Sequence, residues 1–215
     1  MIEYDESEKR LVLKIVYYGP ALSGKTTNLL RLHDLLPKEG RGDLMVLDTK
    51  NDRTIFFDLL PLLLVAPSGL KIKLKAFTVP GQVQHDQTRK AVLQRADGIV
   101  FVADSRREEA RNNLESFSNL ERNMALVGLD FDRTPLVLQF NKRDLPGIVP
   151  ESEIRPVWDP TGIPVALASA KEGWGVLETF RRIAGRMYDA LDRRISLRDR
   201  HGLGREAFLG RLAAR

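Results

Sequence analysis

Residues 17–32 read YYGPALSGKTTNLLRL, and their glycines stand at a fixed distance from a lysine and a threonine. The segment fits the pattern G-x-x-x-x-G-K-[ST] through Gly19, Gly24, Lys25 and Thr26. It lies between an apolar run that predicts a strand and a leucine-rich segment that predicts a helix. Glycines let the backbone wrap closely around a phosphate, and free N–H groups at a helix start attract its negative charge. The stretch therefore predicts a phosphate-binding loop.

The predicted loop assigns a role to each of its members. Lys25 would reach the β- and γ-phosphates of a nucleotide, and the hydroxyl of Thr26 would bind Mg²⁺. The remaining positions that we expect to line the phosphates are Ala21, Leu22, Ser23 and Thr27. The structural alternative is a glycine-rich turn followed by a threonine N-cap, and the strand–turn–helix setting argues against it.

A second motif predicts which base is bound. Asn141, Lys142 and Asp144 fit N-K-x-D after a buried apolar run. A carboxylate at Asp144 can accept hydrogen bonds from the ring N1–H and the 2-amino group of guanine, whereas adenine offers neither donor. We expect the stem of Lys142 to cover one face of the base, and Asn141 to tie this loop to the phosphate loop.

A third motif, Ser169-Ala170-Lys171, follows the next predicted strand. We expect the backbone N–H of Ala170 to meet the guanine oxygen. Because the carboxyl ends of parallel strands meet at one edge of a sheet, motifs at successive strand ends come together there. The three motifs together indicate one pocket for a guanine nucleotide.

The rest of the sequence predicts an open α/β sheet with helices on both faces. Strands are expected at 11–18, 70–79, 98–104, 135–142 and 163–171, and helices at 26–36, 84–95, 107–127 and 174–195. This alternation indicates a mostly parallel sheet. Strict alternation of apolar and polar residues places the strand at 70–79 near the sheet edge. We expect one domain over residues 1–195 and a basic appendage, helical or disordered, over 196–215.

Composition excludes several classes of protein. The 215 residues include no cysteine, which excludes disulfides and thiolate metal sites. The start of the chain is acidic and polar, unlike a secretory signal, and no apolar run reaches the roughly 20 residues that span a bilayer. We therefore expect a cytoplasmic protein.

The net charge of +5 comes from the tail, because residues 181–215 hold ten arginines and four acids. That tail is either a solvated helix face with a loose end or a contact with membrane phosphates. Nucleic-acid binding is not expected, because the tail lacks interleaved aromatic residues and a recognition helix.

With these motifs the chain resembles the Ras-like small GTPases, and most of all their bacterial mutual gliding-motility (MglA) branch. The resemblance runs from about residue 15 to residue 191 and is most specific in KIVYYGPALSGKTTNL, DRTIFFDLLPL, FTVPGQV, DGIVFVADS and NKRDLP. It implies a P-loop NTPase fold, GTP and GDP as ligands with Mg²⁺, and a cycle in which hydrolysis releases switch loops. It also implies an activating protein of the Roadblock (MglB) type and effectors in polarity or motility. Recruitment of the protein to a cell pole, or to a membrane through the basic tail, is a further expectation.

The resemblance further assigns residues to the switches. Gln82 follows the switch glycine Gly81 and would orient the attacking water, and Arg53 would act as an intrinsic arginine finger. Thr54 matches the first-switch threonine, a contact to Mg²⁺ or to the γ-phosphate. Thr78 stands where Ras proteins carry the aspartate of Asp-x-x-Gly, and this Thr-x-x-Gly form marks the MglA branch.

Departures from the family pattern lead to further expectations. Because Thr78 replaces a carboxylate by a hydroxyl, we expect weaker Mg²⁺ affinity than in a Ras protein with aspartate there. Ala21 stands where the branch usually has glycine, and its methyl group would crowd the γ-phosphate and slow hydrolysis. The sequence VQHDQ at 83–87 replaces the usual aromatic pair of the second switch, which leaves binding of an MglB-type partner open. The alternative to an active GTPase is a scaffold that holds nucleotide as a structural ligand.

Overall fold

The computed structural model describes residues 3–48, 56–81 and 85–212, apart from the side chains of residues 46–48 and 56–57, and it contains one eight-stranded sheet. The strands are β1 (Glu3–Asp5), β2 (Arg10–Tyr18), β3 (Met45–Asp48), β4 (Phe56–Val65), β5 (Lys71–Thr78), β6 (Gly98–Asp104), β7 (Leu136–Asn141) and β8 (Val165–Leu167). The α-helices are α1 (Lys25–Leu35), α2 (Asp86–Leu93), α3 (Ala110–Leu126), α4 (Glu151–Trp158), α5 (Val176–Ile195), α6 (Leu197–His201) and α7 (Arg205–Leu212).

The strand order is β3-β4-β5-β2-β6-β7-β8, with β1 antiparallel on β2. Strand β2 runs parallel to β5 and β6, and the pairs β6–β7 and β7–β8 are also parallel. Only β1, β3 and β4 add antiparallel pairs within the described chain. The prediction of a mostly parallel α/β sheet is therefore confirmed. The loops after β2, β7 and β8, which carry the three motifs, meet at one edge of the sheet.

Helices cover the two faces of the sheet and create two cores. On one face, Leu29 and Leu32 of α1 and Phe180 of α5 pack against the apolar side chains of β2, β4 and β5. On the other face, Leu93 of α2 and Leu120 of α3 lie over β6 and β7. The expectation of helices on both faces is confirmed. On the second face, Phe77 at the end of β5 still packs against the core under α2, but the three lysines of β5 and the side chains of β4 on that face belong to neither core of the described chain.

The expected edge position of the strand at 70–79 is wrong. Strand β5 pairs with β2 on one side and with β4 on the other, so it lies inside the sheet. Its side chains alternate because one face is buried while the other, which includes Lys71 and Lys73, is exposed. The alternation of apolar and polar residues arises because one face of this central strand is exposed. The sequence alone does not distinguish such a strand from one at the edge of the sheet.

Several boundaries also differ from those expected. The strand expected at 163–171 spans only Val165–Leu167, because Ser169 already lies in a turn that closes on Trp174. The helix expected at 107–127 begins as a 3-10 turn at Arg107–Glu109 and is an α-helix from Ala110. Strands β1, β3 and β4 and helix α4 were not predicted.

The final segment shares the core of the main domain. Leu197, Leu203 and Phe208 are fully buried, and they belong to the same apolar cluster as α1 and α5. The hydroxyl of Tyr188 in α5 donates to the carbonyl oxygen of Leu203 at 2.7 Å. The described part of the expected appendage is therefore helical and packs on the domain expected at residues 1–195. None of the described helices is long and apolar enough to span a bilayer.

Candidate nucleotide-binding site

The loop between β2 and α1 is a backbone cradle. Gly19 and Gly24 have φ angles of 149° and 95°, in the region that favours glycine. Helix α1 begins at Lys25, and no side chain caps its first turn. The N–H groups of that turn have no partner inside the helix, and the helix dipole adds positive potential. The loop is therefore a binding site for anions.

The expected members of the cradle lie around it at different depths. Ser23 is fully buried, and its hydroxyl oxygen has no hydrogen-bond partner among the described residues. Ala21 and Thr26 are exposed at the rim, and Thr27 is half-buried. Leu22 is 87% exposed, so a ligand would meet its backbone rather than an apolar side chain. These positions fit a loop that offers mainly main-chain donors.

Lys25 lies under the cradle. Its ammonium group donates to the carbonyl oxygens of Gly19 at 3.1 Å and Pro20 at 2.6 Å. Burial, with a smaller contribution from the Arg89 cation and against the attraction of Asp58, lowers the pKa of Lys25 to about 7. Phosphates in the cradle would raise this pKa, because they stabilise the charged form of the lysine.

Asn141 joins the phosphate loop to the third motif. Its Nδ2 donates to the carbonyl oxygen of Ser23 at 2.8 Å, and its Oδ1 accepts from the N–H of Ala170 at 2.9 Å. A Cβ atom at Gly24 would lie 2.3 Å from Asn141 Nδ2, so the amide can approach only because residue 24 is glycine. The tie between the two loops that the sequence predicts is present.

The two side chains expected to contact the base, Asp144 and Lys142, each have a polar partner within the protein. The hydroxyl of Ser169 donates to Asp144 Oδ1 at 2.5 Å, and Asp144 itself is exposed. Lys142 Nζ lies 2.6 Å from Asp104 Oδ2. Burial alone would raise the pKa of Asp104, but hydrogen bonds from Arg106 and Lys142 lower it below its ordinary value. Asp104 therefore stays charged and anchors the lysine.

The N–H of Ala170, which we expect to meet the guanine oxygen, has a partner within the protein. Its N–H already donates to Asn141 Oδ1, and because an amide carries one hydrogen, a guanine oxygen could only share it. The next N–H along the chain, that of Lys171, has no acceptor among the hydrogen bonds of the described residues. The N–H of Ala170 therefore stays a predicted donor to the base that it could only share, and the N–H of Lys171 is a second candidate.

A carboxylate from β4 lies beside the threonine expected to bind Mg²⁺. Asp58 is 5% exposed, and its Oδ2 accepts from the hydroxyl of Thr26 at 2.6 Å and from that of Thr78 at 2.9 Å. The backbone N–H of Asp58 also donates to the Thr78 oxygen at 2.9 Å. The hydroxyl of Thr78 therefore fixes both the backbone and the side chain of Asp58.

The position of Asp58 bears on the reason for expecting weak Mg²⁺ binding, which stays a prediction. The negative charge that is missing at Thr78 is supplied by the neighbouring strand, next to the Thr26 hydroxyl. Hydroxyl and carboxylate oxygens suit Mg²⁺, which usually completes its shell with water and substrate phosphates. The described residues contain no group of three or more His, Asp or Glu that could hold a metal ion alone. The site thus fits an ion bound by Thr26 and nucleotide phosphates.

Comparison with known proteins agrees with this geometry. The chain is 46% identical to the mutual gliding-motility protein MglA of Myxococcus xanthus (strain DK1622) over 178 residues, which cover 83% of this chain and 91% of that relative. This chain belongs to the MglA family of Ras-like small GTPases. It is therefore a GTP hydrolase by class. The Ras-related protein RabG2 of Dictyostelium discoideum is 27% identical over 179 residues, 82% of this chain and 83% of the relative. No family model matches the chain.

In this MglA-family chain, the turn at Pro80 and Gly81 lies against the cradle. A Cβ atom built on Gly81 would be 2.3 Å from the Cα atom of Ala21. Arg89 of α2 is fully buried; it donates to the carbonyl oxygens of Pro80, at 2.9 Å, and of Gly81, and to Asn119 Oδ1 at 2.6 Å. One buried cation thus fixes the backbone of the turn.

Three of the predicted switch residues, Arg53, Thr54 and Gln82, lie outside the described residues. Their roles in this MglA-family chain remain predictions from the resemblance.

Sequence reasoning missed three residues that shape the site. Asp58 is the single charge in an apolar segment, and that mismatch was the signal that could have identified it. Arg89 stands beside Asp86 and Lys90 in α2, so the sequence does not show which of these charges is buried. Asp104 follows the apolar run of β6, at the strand end where functional residues collect.

Proposed function

We propose that this protein binds GTP and GDP with Mg²⁺, hydrolyses GTP by in-line attack of water, and presents a surface that differs between the two nucleotide states. The observation that carries the proposal is the Asn141 side chain, which is bonded to both Ser23 and Ala170. This side chain ties the loop expected to hold the phosphates to the turn whose Ser169 hydroxyl orients the carboxylate of Asp144.

The chain's own groups would divide the work of binding. The cradle N–H groups and Lys25 would hold the phosphates, and Asp144 would accept two hydrogen bonds from guanine. Thr26 would hold Mg²⁺, with Asp58 orienting the hydroxyl. When bound, the ion would neutralise charge on the phosphate oxygens.

The switch would lie in the turn at Gly81. This turn is in contact with Ala21, where a γ-phosphate would need space, so GTP would displace it while GDP would not. Arg89 holds two carbonyl oxygens of the turn and would transmit that displacement to α2. Following the family, Gln82 would orient the attacking water, and Arg53 would neutralise charge between the phosphates.

The cellular role follows from the relative's name, mutual gliding-motility protein MglA. We place this chain in the control of polarity or motility, in the cytoplasm, with a Roadblock-fold activator of the MglB type and nucleotide-dependent effectors. Recruitment of the protein to a cell pole is part of the same proposal.

Base specificity is tested by calorimetry with GDP, ADP and xanthosine diphosphate. We expect the protein to prefer GDP over ADP by at least a hundredfold, because adenine leaves the carboxylate of Asp144 unpaired. Asp144→Asn should shift the preference to the xanthine nucleotide, whose oxygen at position 2 accepts from the asparagine amide. Asp132→Asn, an exposed substitution away from the site, is the matched control. Equal affinity for GDP and ADP would refute the proposal.

The second candidate is a scaffold that holds nucleotide without hydrolysing it. The contact between Gly81 and the cradle at Ala21 favours it, because crowding there opposes a γ-phosphate. Phosphate release from GTP over hours, with and without an MglB-type activator, distinguishes the two. Release that Gln82→Leu and Arg53→Ala both slow supports the active enzyme, and absence of release in every condition supports the scaffold.

A further inference from the structure

The part of the sheet formed by β4 and the first half of β5 has one face that belongs to neither core of the described chain, and this face carries an ordered arrangement of charge. On this face, which we call the lysine face, β5 presents Lys71, Lys73 and Lys75. The register places them beside Val65, Leu63 and Pro61 of β4. On their other side they lie beside Arg10, Val12 and Lys14 of β2. The face is therefore built of a lysine column flanked by an apolar column.

The lysine column is not neutralised by acids of the described chain. No ion pair joins Lys71, Lys73 or Lys75 to any acid among the described residues, whereas Arg10 lies 3.7 Å from Glu3 and 3.8 Å from Glu8. Like charges on adjacent strands oppose each other. Lys75 also contributes to this repulsion at Lys14: burial lowers the pKa of Lys14 to about 8, Asp97 opposes the shift, and Lys75 adds to it.

The neighbouring apolar column is unusually exposed for aliphatic side chains. Leu63 is 50% exposed, Val65 43% and Met45, on β3, 41%. Leu59 and Pro61 continue the column and are half-buried. An apolar stripe in contact with a stripe of unpaired cations marks a surface that is incomplete without a partner.

We propose that the lysine face binds an amphipathic helix of a partner protein, with its apolar stripe on β4 and an acidic stripe on β5. Lysines two residues apart on a strand are separated by about 6.7 Å, and acids four residues apart on a helix by about 6 Å. Three acids in successive turns therefore match Lys71, Lys73 and Lys75. Adjacent columns are about 4.8 Å apart, so a helix about 10 Å wide covers both stripes.

The charges at the edge of the lysine face favour a helix over a flat anionic membrane. Beyond β2 the sheet continues into β1, where Glu3 lies beside Val12 and Asp5 beside Arg10. A narrow helix on β4 and β5 stays two strands away from these acids. A membrane surface wide enough to reach the lysines would also meet them and be repelled.

The test uses the full-length protein and a synthetic fluorescein-labelled helical peptide with three glutamates spaced four residues apart and leucines along the adjoining stripe. We expect measurable binding by fluorescence anisotropy. The double variant Lys71→Glu/Lys73→Glu should weaken it roughly tenfold or more, Leu63→Asp should weaken it similarly, and the exposed control Lys38→Glu should leave it unchanged. A peptide with glutamine in place of glutamate should lose binding.

Each contrary outcome overturns the proposal. Equal weakening by Lys38→Glu means attraction by net charge alone, and an unaffected Leu63→Asp variant means that no apolar stripe is engaged. Binding to anionic lipid vesicles that Lys71→Glu/Lys73→Glu abolishes, without peptide binding, identifies a membrane surface instead. Absence of peptide binding up to a peptide concentration of about 1 mM shows that the lysine face does not bind an acidic amphipathic helix. Circular dichroism and urea unfolding of each variant exclude misfolding as the cause, and none of these outcomes depends on nucleotide hydrolysis.

Discussion

Substitution of Asp58 by asparagine tests whether a carboxylate on β4 has taken over the role expected of an aspartate at residue 78. Asparagine keeps the size of the side chain and one oxygen that can accept from Thr26 and Thr78, but it removes the negative charge. We therefore expect the fold to survive and the affinity for Mg²⁺ in the nucleotide complex to fall.

The structure sets the size of the effect. The carboxylate oxygen lies 2.6 Å from the Thr26 hydroxyl; an ion about 2.1 Å from that hydroxyl is then at most about 4.7 Å from the charge. At an effective dielectric constant of about 20, the direct attraction would be about 7 kcal/mol. Phosphates and water screen most of it, and substitutions behind a metal ligand usually cost 10- to 100-fold in affinity. We expect a loss in this range, about 1.4 to 2.8 kcal/mol.

The assay follows release of a fluorescent GDP analogue as the free Mg²⁺ concentration is varied. Asp58→Asn should shift the midpoint of the Mg²⁺ dependence upward by 10- to 100-fold, while release in excess chelator stays close to that of the unaltered protein. The double variant Asp58→Asn/Thr78→Asp should recover most of the loss, because it returns a carboxylate to the same corner. A midpoint within threefold of the unaltered protein, at equal stability toward urea, refutes the reasoning.

Four further predictions concern the same pocket. GDP affinity should fall about tenfold per unit above pH 7, because free Lys25 has a pKa of about 7 and must be charged when bound. Calorimetry in two buffers at pH 8 should then show uptake of about 0.9 proton per GDP. Asn141→Ala leaves a buried amide unpaired and should lower the free energy of unfolding by about 2 kcal/mol, measured in urea against the exposed control Asn112→Ala. Arg89→Lys cannot reach all of its acceptors and should cost roughly 2 kcal/mol in thermal unfolding. Ala21→Gly should speed single-turnover hydrolysis of GTP, and equal rates would show that the methyl group does not crowd the γ-phosphate.

The parts of the molecule that the sequence predicts well are those where one local pattern decides the structure. The run from Tyr17 to Leu32 contains a strand end, a glycine turn and a helix start, and each is readable from a few neighbouring residues. The apolar strands β6 and β7 are equally clear, because burial on both faces leaves no polar alternation to confuse them.

What the sequence could not predict depends on contacts between distant residues. Strand β4 is interrupted by Asp58 and Pro61, and it becomes a strand because it pairs with β3 and β5. The link between Thr26 and Asp58 spans 32 residues, and that between Asn141 and Ala170 spans 29. No local periodicity of the sequence encodes such pairs. The position of β5 inside the sheet likewise depends on its pairing with both β2 and β4.

The packing of the last helix decides how this protein could adhere to a lipid bilayer. Phe208 and Leu212 of α7 are occupied in the core, so neither can enter the acyl layer while the helix stays docked. Arg205 is paired with Asp189. The other arginines of this segment could attract anionic lipid headgroups only through weak electrostatic interactions at the surface. Such peripheral adsorption is reversible and is washed away by moderate salt, since charges exposed to water are screened beyond about 8 Å at physiological ionic strength. A membrane-bound pool of this protein that resists a salt wash would therefore require a contact other than the docked α7.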